Sequence, residues 1–555
     1  MSRIESGAAV FACLALLGAF AGTGPERLYN GIVLPAEWPP RDVVARTWDP
    51  DSIPYLEKGN IPAVIPIDVG RQLFVDDFLI ERTDLARIYP KPVKYAGNPV
   101  LWPETAREKS EGGLYPVALP KGGGLWWDPE RKVFRLWYEA SWIGHICYAE
   151  SKDGIRFERV NTDVEPGGNC VLPQQHVDSW SVVPDPECAD PAQRWKLFVH
   201  PGCSASRTLL YVSADGIHWT GPKLAGAADD RSTMFYNPFR RKWCFSLRSC
   251  WRGRSKNYAE FDDFLSSDWQ WPWDGVSKRV YTNTEHCVLW MAADRLDRQT
   301  SDPDLNEQAS LYSMDAVAYE SIMLGAAEIH WGPENDVCGE RGLPKITDIQ
   351  FAYSRDGFHF SRPDRTAAIP SSRWGSDAWD TGYVQPLSNL CVIQGDELWF
   401  YYGAFKGMKD HPKKRGLYAN GATGFAKLRR DGFVGMKAAG RGELLTRPVA
   451  FTGSRLFVNA NCPKGALRVE VQGADGKPLR GFALDDCRPV AVDSTKVAVR
   501  WKGGDRLPSA KSPCRFRFEL KDGVLYSFWV SPSARGESNG YLAGGGPGYR
   551  GLVDK

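Results

Sequence analysis

Four aspartates recur at equivalent places in an internal repeat, and their type and spacing suit them to chemistry. Counting back seven residues from the turns "DPE" and "NPF" leads to Asp178 and Asp230, and Asp315 ("SMDAV") and Asp380 ("AWDTG") stand at corresponding strand starts. Carboxylates that share one pocket raise one another's pKa, so one stays protonated as a general acid while another stays ionised as base or nucleophile. Cleavage of a glycosidic bond requires such a pair. Each aspartate also has a structural alternative, because Asp often caps the turn at a strand start.

Three further acidic residues are candidates for the same pocket. The apolar segment "GRQLFVDDFLIE" ends in Asp76 and Asp77, whose side chains point to opposite faces of a strand, so at most one of them faces the pocket. We take Asp77 as a catalytic candidate and Asp76 as a substrate-binding one. Glu320 lies five residues after Asp315, on the opposite face of a regular strand. A β-bulge there would bring Glu320 into the pocket as the general acid.

Three basic or neutral residues are candidates for substrate binding. The same seven-residue step from Asp128 leads to Lys121 in the first repeat. His176 stands two residues before Asp178 and shares its face, although a hydrogen-bonded structural histidine is the commoner arrangement. Arg248 closes an apolar strand, where it would bind a sugar hydroxyl or carboxylate or form an ion pair inside the fold.

A repeated pattern of strands is expected to position these side chains. Each of "WWDPERKVFRLWYEA", "VVPDPECADPAQRWKLFVHP" and "MFYNPFRRKWCFSLR" contains an apolar strand, an Asp-Pro or Asn-Pro turn and an aromatic-rich strand, and two looser units follow. Five such meanders, each of three or four strands, predict a β-propeller. The recurring Ser-x-Asp-Gly turns, as in "YVSADGIHWT", are interpreted as structural, because a catalytic site is needed only once.

The pattern divides the chain into five parts. Residues 1–21 have an apolar run ending in Ala-Phe-Ala, which predicts a secretory signal peptide, with an N-terminal membrane anchor as the alternative. A Pro-rich extension (22–69) precedes an all-β, five-bladed propeller (70–445). Alternating strands over 446–533 predict a C-terminal β-sandwich. The Gly-rich end, 534–555, is expected to be a flexible tail.

Composition excludes several partners and cofactors. A formal net charge of +2 gives no footprint for nucleic acid, and no segment beyond the signal peptide is long enough to cross a membrane. Of the 13 cysteines, Cys13 falls in the signal peptide, and the absence of any Cys-x-x-Cys pair argues against a zinc site. Cys462, Cys487 and Cys514 leave room for one disulfide near the C-terminus. No cofactor is expected, and a structural calcium ion is left open.

With five meanders, recurring acids and an appended sandwich, the chain resembles the five-bladed propeller glycosidases of the invertase and levanase group and of the arabinanase and xylosidase group. The resemblance covers about residues 70–530 and includes "GRQLFVDDFLIE" and "SRDGFHFSRP". It implies an aspartate in blade one as nucleophile or base, a second aspartate that tunes the site and a glutamate as acid. The invertase signature Trp-Met-Asn-Asp-Pro-Asn-Gly and the Arg-Asp-Pro and Glu-Cys-Pro boxes are absent.

These observations predict a secreted or periplasmic glycoside hydrolase that acts on a polysaccharide or oligosaccharide. Two alternatives from other classes remain. One is a non-catalytic propeller whose acids bind sugar hydroxyls or calcium. The other is a polysaccharide lyase, which needs a Tyr or His base beside an Arg and for which His176 and Arg248 are the candidates.

Overall fold

The computed structural model describes residues 25–41, 53–110, 114–202, 206–251, 253–270, 283–297, 305–306, 308–508 and 512–555. The predicted signal peptide and part of the predicted extension lie outside these residues. Strands dominate the described ranges, which also contain the α-helix Asn335–Arg341. No helix in these ranges combines the length and the apolar character needed to cross a membrane.

Five antiparallel sheets of four strands form the centre of the fold. The first three take all their strands from consecutive sequence. Blade one consists of Ala118–Asp128, Val133–Ala140, His145–Ser151 and Glu158–Arg159. Blade two consists of Ser179–Pro184, Trp195–His200, Ser206–Ser213 and Thr220–Ala228. Blade three consists of Thr233–Asn237, Lys242–Ser249, Ser255–Phe261 and Val288–Ala292.

The last two blades each borrow a strand from a distant part of the chain. Blade four consists of Ser310–Glu320, Ile322–Gly332 and Ile346–Ser354, with Tyr541–Leu542 added beside its first strand. Blade five consists of Gly382–Gln394, Glu397–Phe405 and Gly421–Arg429, with Val93–Lys94 added beside its third strand. The first strands of the five blades contact one another in a ring. The predicted five-bladed propeller is therefore confirmed, and Val93–Lys94, which precedes blade one in sequence, closes the ring.

The Ser-x-Asp-Gly turns tie neighbouring blades together. In the first turn the Ser151 hydroxyl accepts the Gly154 amide at 2.9 Å and the Asp153 carboxylate accepts the Ile155 amide at 2.8 Å. Gly154 has φ +75°, a conformation that a residue with a side chain rarely adopts. Its carbonyl accepts the Tyr401 hydroxyl of blade five. In the second turn the Gly216 carbonyl of blade two likewise accepts the indole N–H of a blade-one tryptophan at 2.8 Å. The turn recurs because each blade must dock on its neighbour.

The C-terminal strands belong to one connected, eight-stranded antiparallel network that also includes strands from residues 72–88. The long strand Arg515–Ser531 is bonded to strands on both sides along its length. The network comprises Gln72–Leu73, Ile80–Thr83, Ala86–Ile88, Gly435–Thr446, Arg455–Asn461, Ala466–Gln472, Asp493–Ala498 and Arg515–Ser531. The predicted C-terminal sandwich is thus not confirmed. Residues 72–88, predicted to belong to the propeller, instead pair with this network, because their apolar residues pack in its core.

The segment expected to be a flexible tail packs against one end of the propeller channel. The Gly544 amide donates to the Cys391 carbonyl of blade five at 2.9 Å, and the Gly544 carbonyl accepts the Trp127 amide of blade one at 2.8 Å. A Cβ on Gly544 would lie 2.3 Å from the Asn389 side chain, so glycine is needed for this close approach. Composition indicated flexibility because these glycines supply no side chains for a core, yet here they allow backbone pairing.

Candidate active site

The opposite end of the channel gathers charged side chains at the starts of the first strands and the ends of the second strands. Asp178 directly precedes the first strand of blade two, and Asp230 and Arg231 precede that of blade three. Glu139 and Glu328 lie near the ends of the second strands of blades one and four. In an antiparallel hairpin these two positions lie at the same end, so the blades bring the side chains together.

Lys121 joins the acids of blades one and two. Its ammonium lies 3.3 Å from Glu139 Oε2 and 3.4 Å from Asp178 Oδ1, and the three side chains are at most 3% exposed. Lys121 has φ +48°, followed by Gly122 and Gly123, whose missing side chains let Trp180 approach the first strand closely. The predicted substrate-binding candidate Lys121 therefore holds two buried carboxylates.

Asp230 is held by an arginine and a tyrosine. Arg248 Nη1 lies 3.4 Å from Asp230 Oδ2, and the Tyr312 hydroxyl donates to the same oxygen at 3.0 Å. The Asp230 side chain keeps 29% of its surface exposed, so it remains accessible from the mouth of the channel. Arg254 lies over the Tyr312 ring, with its guanidinium carbon 5.0 Å from the ring centroid.

Arg231 lies between Asp315, the third of the repeat aspartates, and Glu328, which the sequence analysis did not single out. Its Nη2 lies 3.0 Å from Glu328 Oε2 and 3.9 Å from Asp315 Oδ2, and all three side chains are at most 1% exposed. The Arg231 amide donates to the Ser179 hydroxyl at 2.7 Å, which connects this group to the Asp178 strand. Three of the four repeat aspartates, Asp178, Asp230 and Asp315, therefore surround one centre.

The two aspartates nearest Lys121 have opposite protonation preferences. Burial raises the pKa of Asp178 to about 7; Lys121 opposes the rise, and the charges of Asp230 and Glu139 add to it. Burial also acts to raise the pKa of Asp230, but Arg248, Lys121 and the Tyr312 hydroxyl hold that pKa well below its usual range. At neutral pH the site therefore contains a half-protonated carboxyl beside a fully ionised one.

A second buried pair with unusual protonation lies deeper in the channel. Burial raises the pKa of Glu328 to about 7, with Arg231 opposing the rise and Asp315 adding to it. Burial lowers the pKa of Lys256 to about 7, and the charges of Arg231 and Arg248 lower it further. Its ammonium donates to the Arg231 carbonyl. Both groups contact Arg231, Glu328 at its guanidinium and Lys256 at its carbonyl.

An open cleft of about 740 Å³ lies beside this centre. Trp142 lines the cleft, and its ring centroid is 5.0 Å from Lys121 Nζ. The Trp142 ring also stacks on Tyr418 at 4.0 Å between centroids. His176 lies in the cleft, where its ring nitrogen contacts the Ile143 carbonyl at 3.0 Å. Trp142 therefore lies between the cleft and Lys121, with its ring packed against Tyr418 and Lys121.

Asp380 is not brought to this centre. Its carboxylate accepts hydrogen bonds from Lys94 at 2.7 Å, Tyr402 at 3.0 Å and Ser372 at 2.6 Å. Lys94 belongs to the strand that closes the ring at the outer edge of blade five. Asp380 precedes the first strand of its blade, in a loop where this lysine neutralises it, so its predicted place in the shared pocket is wrong.

The N-terminal acids and Glu320 also lie elsewhere. Asp76 is paired with Arg355 at 2.9 Å, and Asp77, 70% exposed, contacts Arg87. Both lie in the segment that pairs with the C-terminal network. The β-bulge that would bring Glu320 into the pocket is absent, because the first strand of blade four pairs regularly from Ser313 to Tyr319. Glu320 has φ +50° where this strand ends at the hairpin turn, about 17 Å along the strand from Asp315.

Glu320 has structural partners at the tail end of the channel. Its carboxylate accepts Arg430 at 2.8 Å and the Ser538 hydroxyl at 2.7 Å, and the Arg71 guanidinium lies 3.4 Å away. The side chain is fully buried. The prediction that Glu320 enters the pocket as general acid is therefore wrong, because its backbone turns it toward two arginines.

Sequence reasoning missed Glu139, Arg231, Tyr312 and Glu328. Two of them carried a usable signal: Glu139 in "FRLWYEA" and Glu328 in "LGAAEIH" are single acids in otherwise apolar second strands. Arg248 holds the similar position in blade three. Within the part of the chain that the structure describes, no group of three or more His, Cys, Asp or Glu side chains is placed to hold a metal ion.

No protein-family model matches the chain, and no curated protein sequence matches it. Several solved structures are similar to it. An N-acetylgalactosamine deacetylase from F. plautii is 13% identical over 66% of this chain and 97% of its own, with a TM-score of 0.36. The Bombyx mori GH32 β-fructofuranosidase is 12% identical over 77% and 94%, with a TM-score of 0.30.

The Podospora anserina α-L-arabinofuranosidase PaAbf62A is 11% identical, over 61% of this chain and 96% of its own, with a TM-score of 0.36. At identities of 11–13% and TM-scores of 0.30–0.36, these similarities carry no conclusion about the activity of this chain.

Proposed function

We propose that the protein is a glycoside hydrolase in which Asp178 is the general acid and Asp230 is the base or nucleophile. The observation that carries the proposal is the opposite protonation of these two neighbours, since burial raises the pKa of Asp178 to about 7 while Arg248 and Lys121 keep Asp230 ionised. An acid that retains its proton beside an ionised carboxylate is the requirement for glycosidic cleavage.

The neighbouring groups have supporting roles in this proposal. Lys121 orients the Asp178 carboxyl, and its charge prevents the pKa of that carboxyl from rising further. Tyr312 donates to Asp230 and fixes the direction of its carboxylate. Trp142 lies on the wall of the cleft beside Lys121. The substrate class we propose is a polysaccharide or oligosaccharide.

The two alternative functions, a polysaccharide lyase and a carbohydrate-binding propeller, predict different outcomes. Of the lyase candidates, His176 contacts the Ile143 carbonyl and stacks near His145, whereas Arg248 is paired with Asp230, so their contacts do not favour that pairing. Burial raises the pKa of Tyr312 well above its usual value, so this phenol, too, is poorly suited as a base. A binding propeller would retain carbohydrate without cleaving it.

The test is a screen of the purified protein against a polysaccharide panel, read by reducing ends and by ultraviolet absorbance. Hydrolysis raises reducing ends without the absorbance of an unsaturated sugar, and Asp230→Asn should abolish it. Appearance of the unsaturated product would establish a lyase instead. Tight retention of a polysaccharide with no new ends, in wild type and Asp230→Asn alike, would establish a binding propeller.

We also propose that the protein is exported to the periplasm or medium. The support is the leader at residues 1–21, with its short basic start, apolar run and Ala-Phe-Ala end. Mature protein isolated from either compartment should begin near Gly22. Recovery from the cytoplasm with Met1 still in place would contradict export.

A further inference from the structure

Two buried cysteines face each other across a backbone pairing in blade one. Cys147 lies in the third strand of that blade, and Cys170 lies in the segment that leads to blade two. The two residues form an isolated antiparallel bridge, and neither has measurable exposure to solvent. Each thiol shifts the pKa of the other: the Cys170 thiol raises the pKa of Cys147, and the Cys147 thiol lowers the pKa of Cys170. Both are free thiols in this structure.

The flanking hydrogen bonds define the geometry of this pair. The Tyr148 amide donates to the Asn169 carbonyl at 2.9 Å, and the Val171 amide donates to the Ile146 carbonyl at 2.9 Å. The bonds thus come from the residues on either side of the two cysteines, which makes the cysteines a non-hydrogen-bonded antiparallel pair. At such positions the Cα atoms are about 4.5 Å apart and the side chains share one face. A disulfide accommodates Cα separations of about 4.4–6.8 Å.

The C-terminal cysteines, among which the sequence left room for a disulfide, have backbone partners instead. The Cys462 thiol donates to the Val490 carbonyl at 3.1 Å. The Cys487 sulfur accepts the Val469 amide at 3.2 Å. Cys147 and Cys170 therefore differ from Cys462 and Cys487, because they lie opposite each other.

We propose that Cys147 and Cys170 form a disulfide in the exported protein and thereby fasten residues 160–178 to blade one. The reaction joins the two sulfurs and removes two protons and two electrons. A disulfide oxidant, such as oxidised glutathione or a thiol–disulfide oxidoreductase of the compartment, accepts them and becomes two thiols. The oxidant reaches the cysteines during folding, before the blade core covers them.

The bond constrains the approach to the proposed general acid. Seven residues lie between Cys170 and Asp178, and two of them, Leu172 and Val177, are buried. The same segment carries His176 on the wall of the cleft. Linking the segment to the third strand of blade one limits its opening, so the disulfide holds the cleft wall and the acid against the propeller. This inference rests on the proposed export but is independent of the reaction catalysed.

Peptide mapping tests the proposal directly. The full chain is refolded in a glutathione redox buffer or exported to a bacterial periplasm, alkylated without reduction and digested with trypsin. Residues 136–152 and 160–194 should appear as one linked peptide that separates on reduction. Because Cys188 lies in the second peptide, the Cys188→Ser variant makes the assignment unique. Complete alkylation of Cys147 and Cys170 in the oxidised protein would overturn the proposal.

Two further measurements distinguish a bond from mere packing. Wild type refolded with reductant should have a lower Tm and faster amide exchange in residues 160–178 than wild type refolded with oxidant. Cys391→Ser, which replaces a buried thiol in blade five, should keep this response to reductant. The variants Cys147→Ser and Cys170→Ser should each lose the response, and the double variant should be no less stable than either single one. Additive losses with an unchanged response to reductant would also overturn the proposal.

Discussion

Replacing Asp178 with Asn should remove most of the activity and also the fall of kcat/KM at alkaline pH. The pKa of about 7 means that roughly half of the Asp178 carboxyls carry a proton at pH 7 and about one in a hundred at pH 9. If Asp178 donates this proton to the leaving group, kcat/KM of the wild type falls about tenfold per pH unit above 7. Asn has nearly the same shape but cannot donate this proton, so kcat should fall by about 10²–10⁴-fold.

The assay compares two substrates that differ only in the leaving group. A natural glycoside needs protonation of its departing oxygen, whereas a dinitrophenyl glycoside of the same sugar leaves without it. Asp178→Asn should therefore lose most of its activity on the first and little on the second. Asp380→Asn is the matched control, because Asp380 is an equally buried aspartate bound by Lys94 and Tyr402 away from the site.

A thermodynamic measurement checks the same pKa without a substrate. The folded pKa of Asp178, about 7, exceeds the ordinary aspartate pKa of 3.8, so the native state binds more protons than the unfolded state between these two pH values. The free energy of unfolding contributed by this group therefore decreases as pH rises from about 4 to 7, and Asp178→Asn should lack that slope. An Asn variant that keeps wild-type kcat on the natural glycoside, or the same alkaline limb, would refute the assignment.

Three other predictions address the surrounding residues. Lys121→Met should raise the pKa of Asp178, because Lys121 lowers it, and so move the alkaline limb of the pH–rate profile upward; a downward shift would contradict the ion pair. Glu320→Gln should reduce the free energy of unfolding in urea by about 3–5 kcal/mol by leaving buried arginines uncompensated, while kcat stays near wild type; a selective loss of kcat would restore its catalytic role. Deleting residues 541–555 should lower stability by at least about 2 kcal/mol, since Leu542 is fully buried, and an unchanged urea midpoint would show that the tail contributes nothing.

The sequence alone was sufficient for the propeller and for part of the site. The Asx-Pro turns and aromatic strands recur with enough regularity to predict five blades, because local turn chemistry and strand periodicity are set by neighbouring residues. The same register brought Asp178, Asp230 and Asp315 to one end of the channel. The position of a residue relative to its strand start is a local property. Because the blades are arranged around one axis, residues at equivalent positions in different blades lie close together.

Only the tertiary structure decided which residues each acid contacts. Asp380 has the same sequence signal as Asp178, but the ring-closing Lys94 binds it, and that pairing joins residues nearly 300 positions apart. Glu320 turns toward Arg71 and Arg430, and the glycine-rich tail pairs with strands far from it in sequence. These contacts depend on burial and on charges that are distant in sequence, and a local sequence pattern does not encode them. A sequence pattern therefore predicts where strands begin. The pKa of each carboxylate and its ion-pair partners depend on the residues that the folded chain packs around it.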